Sequence, residues 1–155
     1  MIDVQIDDSF SSMVTPELIL SAAHSALVLN QAADNSELSI VLTNDNTLRD
    51  LNFEFRQVDA PTDVLSFPSD EIDPETGNKY IGDIVISVDR ANEQAQKGHY
   101  SLQSELQLLT VHGVLHLLGY DHLEKADQIV MWNRQKEILI SLNCDPKAIP
   151  TINQE

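Results

Sequence analysis

The segment His112-Gly113-Val114-Leu115-His116-Leu117-Leu118-Gly119-Tyr120-Asp121-His122 constrains this chain more than any other. Its apolar surroundings, with Ser101 as cap, predict a helix from Leu102 to about Leu118 that Gly119 ends through its tolerance of positive φ. Histidines four apart on a helix share one face, one turn from each other. A chain reversal at Gly119 brings His122 towards the same point. Three imidazoles around one position, with the fourth corner open, is a common layout for catalytic zinc. Neutral imidazole also suits neighbouring divalent transition metals, so the spacing leaves the native ion open. A lone histidine on an apolar helix reads as a packed or surface residue, and that reading stands for His24 and His99. Three of the five histidines within eleven residues, at converging spacings, read as metal ligands.

The pattern His-x3-His-x2-Gly-x2-His is also that of zinc peptidases, in which a Glu after the first histidine acts as general base. Gly113 stands in that place, so peptidase activity of that type is disfavoured. A glycine inside a helix costs stability relative to alanine, which points to a close approach by another segment, by a substrate or by packing.

Elsewhere the periodicities alternate between strand and helix. Ile2, Val4 and Ile6 alternate with polar residues, as do Leu38, Ile40 and Leu42, giving two half-buried strands. Thr15-Pro16-Glu17 reads as N-cap, first-turn proline and first-turn acid of a helix running to about Ala32. Asn44-Asp45 opens a second helix that ends near Phe55. Val64 to Phe67 reads as a brief strand ended by Pro68, residues 69–79 as a solvated turn or hairpin tip, and Ile84 to Val88 as the strongest strand. Asp89 is placed as the cap of a short helix over 90–97, and Asp83 as a turn-capping residue. Ile84 to Ser87 are also weighed as a cleft-facing sheet edge. The last helix is expected from Leu123 to about Leu142, with Trp132 read as a core residue alongside Ile129, Ile138 and Leu139. One α+β domain over 1–145 follows, with a flexible tail over 146–155.

Charge narrows the function. Of 155 residues, 25 are acidic and 9 basic, a formal net charge of −16. Broad coating of a nucleic-acid duplex, which neutralises many phosphates with Lys and Arg, fits this balance poorly. The single Cys144 cannot form an intramolecular disulfide, and no apolar run is long enough to span a bilayer, so a cytoplasmic protein with no membrane partner is expected. No Gly-rich phosphate loop and no deaminase pattern is present.

Three blocks, in order, carry a specific resemblance. They are Leu51-Asn52 with Phe55-Arg56 and the run Asp59 to Pro68; Gly82-Asp83-Ile84-Val85-Ile86-Ser87; and His112 to His122. With these the chain resembles the YbeY family of bacterial endoribonucleases, also described as ribosomal RNA maturation factors. The resemblance implies a mixed four-stranded sheet packed with helices and a metal cleft. It implies zinc on His112, His116 and His122, Arg56 as a functional residue in that cleft, and single-stranded RNA as substrate. Maturation of the 16S rRNA 3′ end, ribosome quality control and association with small-subunit components are further implications. The family often has Tyr before the arginine, where this chain has Phe55.

The residues themselves leave alternatives beside each role. Arg56 can grip two phosphate oxygens and stabilise developing negative charge, or sit in a surface salt bridge. Asp121 is a candidate for orienting a histidine or accepting a proton, and equally for a turn-capping role. Ser66 is a candidate substrate contact or a backbone-satisfying serine. Tyr120 is a candidate base-stacking ring or a packing residue of the metal turn. Two accounts compete with the nuclease: a ribosome-assembly factor whose metal holds the fold, and a metal-dependent hydrolase of another substrate.

Overall fold

The alternating apolar residues at both ends of the first crossover build β1 (Ile2–Ile6) and β2 (Ser36–Thr43), joined by α1 (Pro16–Leu29). The computed structural model describes residues 1–151. After β2 come α2 (Asp45–Arg56), β3 (Val64–Ile72), β4 (Lys79–Ser87), α3 (Val88–Gly98), α4 (Leu102–Leu117) and α5 (Lys125–Ser141). The sheet order is β1-β2-β4-β3, with β1, β2 and β4 parallel and β3 antiparallel to β4. This is the mixed four-stranded α+β arrangement that the resemblance implies.

The sheet divides the interior. Leu38, Ile40, Leu42, Ile84 and Ile86 point into the main core with residues of α1, α4 and α5. Val85 and Leu65 point to the other face, where Leu48 of α2 closes a smaller cluster. Residue pleating alone produces this split, because neighbours on a strand face opposite sides. α4 packs against α1, α3, α5 and the β3–β4 hairpin, so one helix fixes His112 and His116 relative to these elements.

Several sequence expectations need correction. β3 does not end at Pro68 but continues to Ile72, because it is the edge strand and proline there removes no ladder bond that the sheet needs. Its pairing shifts between Pro68 and Glu71. Residues 69–79 are accordingly the outer half of a β-hairpin. Ile84 to Ser87 lie in an interior strand and form no edge. Asp83 lies within β4 and accepts a hydrogen bond from the Tyr80 hydroxyl.

Helix ends differ too. Ser87, whose Oγ accepts from the Arg90 N–H at 3.1 Å, caps α3, and Asp89 lies inside its first turn. Thr15 makes no side-chain capping bond, and α1 stops at Leu29, where the Asn30 side-chain amide donates to the Ala26 carbonyl. The tail expected to be free from residue 146 forms a 3-10 turn over Pro146–Ala148, with Ala148 and Ile149 buried. The rest of that expectation, residues 152–155, lies outside the described residues.

Candidate metal centre and active-site cleft

Gly119, at φ +100°, turns the chain back as expected, and the Gly119 and Tyr120 N–H groups donate to the carbonyls of His116 and Leu115, each at 3.0 Å. The turn brings His122 to the exposed side of the histidine pair. Ring centroids of His112, His116 and His122 lie 4.6–5.5 Å apart, and one ligand nitrogen from each falls within 4.8 Å of the others.

Neighbours fix which nitrogens face inward. His116 Nδ1 lies 3.0 Å from the Tyr120 carbonyl, which can only accept, so Nδ1 carries the proton. His112 Nδ1 lies 3.0 Å from Gln135 Oε1, which holds that ring in the same tautomer. Both Nε2 atoms therefore present lone pairs, yet they stand 3.0 Å apart. Two such lone pairs repel unless a cation lies between them. Tetrahedral zinc, with nitrogens at about 2.0–2.1 Å, separates a ligand pair by about 3.3 Å, close to this spacing. Burial, followed by the neighbouring His116, holds His112 down to about 4, and burial followed by His122 also lowers His116. Neutral imidazoles with their outer nitrogens committed to carbonyl-type acceptors suit zinc or a neighbouring divalent transition metal.

The centre opens into a cleft of about 780 Å³ whose walls include Arg56, Asp63, Ser66, Asp121 and Trp132. Arg56 is the last residue of α2 and is exposed. Arg49, Arg90 and Arg134 pair with Asp59, Asp45 and Glu137, whereas no ion pair engages Arg56 among the described residues. The salt-bridge alternative for Arg56 therefore has no partner here.

The other candidates separate. Asp121 Oδ1 accepts from the Leu123 N–H at 2.7 Å, an Asx turn, and the histidines are oriented instead by Gln135 and the Tyr120 carbonyl. Tyr120 donates its hydroxyl to Asn30 Oδ1 at 2.7 Å and accepts from Arg134 Nε, so its ring braces the metal turn from α1 and α5. Ser66 Oγ donates to the Gly113 carbonyl at 3.4 Å, tying β3 to α4. A Cβ at Gly113 would meet the Ile84 side chain at 2.9–3.2 Å. The helix turns this position into the sheet, where the acid of a zinc peptidase has no room.

Sequence reasoning missed two residues of the centre. Trp132, assigned to the core, is only half-buried and packs edge-on against His112 and His122 at 5.9 and 5.4 Å. Ile129, assigned with it, is exposed. Gln135 is 1% exposed and holds His112. The available signal was their i, i+3 spacing, which puts an aromatic and an amide on one face of α5.

The profile of the family described as Endoribonuclease YbeY matches residues 3–143. Curated proteins named Endoribonuclease YbeY include one from Carboxydothermus hydrogenoformans, 39% identical over 143 residues and covering 92% of each chain. Another, from Roseiflexus sp., is 42% identical over 147 residues, covering 91% of this chain and 92% of its own. Among solved structures, the solution structure of TM1509 from Thermotoga maritima superposes with a TM-score of 0.63 over 95% of both chains at 24% identity, a likeness of fold. With a profile match across nearly its whole length and relatives at about 40% identity, the chain belongs to the YbeY family of endoribonucleases.

Proposed function

We propose that this chain is a zinc-dependent endoribonuclease of single-stranded RNA, with the ion on His112, His116 and His122 and the scissile phosphate on Arg56. One observation carries the reading. In a member of an endoribonuclease family, the arginine left outside any ion pair among the described residues lines the same cleft as three convergent imidazoles.

The guanidinium of Arg56 binds two phosphate oxygens and holds the phosphodiester against the histidine face. When bound, the ion supplies Lewis-acid polarisation and charge neutralisation at the phosphoryl group. Gln135 and the Tyr120 carbonyl keep protons on the outer imidazole nitrogens, and Trp132 limits ring motion at His112 and His122. Asp121 spends Oδ1 on its turn and offers its other oxygen to the cleft as a proton acceptor. Ser66 supports the floor beside the substrate.

The acidic balance suits a single-stranded substrate. Elsewhere on the surface, ion pairs already occupy Arg49, Arg90 and Arg134, so binding concentrates at one phosphate and on base contacts, without broad neutralisation of a duplex. The family resemblance extends the proposal to ribosomal RNA precursors, 16S 3′-end maturation and ribosome quality control in the cytoplasm, with small-subunit components as partners. The test is metal removal and restoration on an unstructured RNA. Cleavage should disappear on chelation and return with Zn2+ or a neighbouring ion; undiminished cleavage by protein shown to be metal-free by mass spectrometry would overturn the proposal.

A further inference from the structure

A second cavity, of about 390 Å³, lies against the cleft and shares Asp63, Val64, His112 and Trp132 with it. Its volume is within the range of small-ligand pockets, about 300–1,000 Å³. Its walls differ sharply from those of the cleft. Leu108, Leu109 and Trp132 provide apolar and aromatic surface, while the polar lining includes Glu105, Asp63, Gln94 and, at one side, Lys147, whose Nζ donates to the His99 carbonyl at 3.4 Å.

Glu105 is the unusual member. It is 3% exposed on the buried side of α4, yet no cation pairs with it among the described residues. Its Oε1 accepts from the Tyr100 hydroxyl, and among the described residues no hydrogen bond engages Oε2. Asp63 lies across the same cavity, with Oδ1 accepting from the Val64 N–H and Oδ2 from Gln94 at 3.4 Å. A buried carboxyl with an unused oxygen costs free energy unless something donates to it. The group that fits is flat, uncharged and rich in N–H donors.

We propose that this cavity receives a nucleobase of the RNA whose phosphate lies on Arg56, guanine above the others, with Glu105 as the specificity residue. This rests on the reading of the cleft as an RNA site. Guanine presents two adjacent donors, N1–H and the 2-amino group, on its Watson–Crick edge, and above pH 7, where Glu105 is ionised, its carboxylate accepts both side by side, with Oε1 shared with the Tyr100 hydroxyl. Trp132 and the leucines then cover its faces, as in other single-strand readers. The shared wall of His112 and Trp132 places the base pocket next to the metal centre, so a base seated there positions its own backbone phosphate in the cleft.

The chain has a single tryptophan, and Trp132 lines both cavities, so its indole N–H resonance reports occupancy without any cleavage. Neutral nucleosides avoid the phosphate contact. Titration of the metal-loaded protein with guanosine at pH 8, where Glu105 is ionised, should shift that resonance, with inosine, which lacks the 2-amino donor, at least tenfold weaker and uridine weaker still. Glu105→Gln, which replaces one acceptor by a donor, should abolish the guanosine-over-inosine preference. The ligand series alone keeps the test decisive if that variant fails to fold. Equal titration by guanosine, inosine and uridine, or no shift with any, overturns the pocket while RNA cleavage by the same sample leaves the cleft reading intact. Selective guanosine binding without any RNA cleavage supports the pocket and counts against the cleft reading.

Discussion

His116 donates its Nδ1 proton to the carbonyl of Tyr120, four residues further along the chain, at 3.0 Å. One bond thus links the last turn of α4 to the reversal that delivers His122, so ligand geometry and turn geometry depend on each other. Metal binding in such a site is coupled to folding. His116→Ala is expected to lose bound metal and melting temperature together. Metal content and melting temperature equal to the parent's would contradict the ligand assignment.

Gln135 orients His112 from α5 without touching the cavity occupied by the other ligand atoms. Groups that orient a ligand in this way contribute about 10–100-fold in metal affinity. Gln135→Leu is expected to weaken zinc by that factor in competition with a chromophoric chelator, and Gln135→Glu, which keeps an acceptor, to retain it. Unchanged affinity in the leucine variant would remove the orienting role.

Gly113 meets Ile84 where a side chain would begin, at 2.9–3.2 Å. Overpacking of this kind costs about 1–3 kcal/mol, against a helix-propensity gain of about 1 kcal/mol from alanine. Gly113→Ala should therefore lower the denaturant midpoint, and Ile84→Val in the same chain should restore part of the loss. A midpoint that rises in the single variant would show that the glycine is not a packing requirement.

Burial, opposed by the Tyr100 hydroxyl and reinforced by Asp63, raises the Glu105 carboxyl from 4.5 to about 7. Between those values the folded chain keeps a proton that the unfolded chain has released. The stability associated with this group is thus present below pH 4.5 and falls as pH rises through 7, by an upper limit of about 3 kcal/mol. His112, held at about 4 against an ordinary 6.5, acts in the opposite sense, contributing stability above 6.5 that is lost as pH falls through 4. The difference between Glu105→Gln and parent isolates the carboxyl: the variant's melting temperature should gain on the parent's by several degrees from pH 4.5 to pH 8. A constant difference would contradict the raised carboxyl.

The convergence of His112, His116 and His122 was legible because helix period and a glycine turn are local properties of the chain. The strands along β2 and β4 were legible for the same reason. What pointed elsewhere was decided by tertiary placement. Pro68 ends a strand on propensity, but edge position lets β3 continue. Trp132 carries the pattern of a core residue, and only the docking of α5 beside the turn exposes its edge to the histidines. Gln135 and Glu105 look like ordinary polar helix positions, yet helix packing buries both. Arg56 carried no signal in periodicity or spacing, and only the Phe55-Arg56 block of the family resemblance singled it out. Its significance comes from the acids that the other arginines pair with and from the cleft it reaches.

The central claim is that Arg56 and the three-histidine centre act together on one phosphodiester. The direct measurement is cleavage of an end-labelled, unstructured RNA by parent and Arg56→Ala carried through the identical purification, with metal content and melting temperature recorded for both. The account predicts that the variant keeps its metal and its fold and loses cleavage by at least a hundredfold, a barrier increase of about 2.7 kcal/mol. Equal cleavage by the two proteins would contradict it.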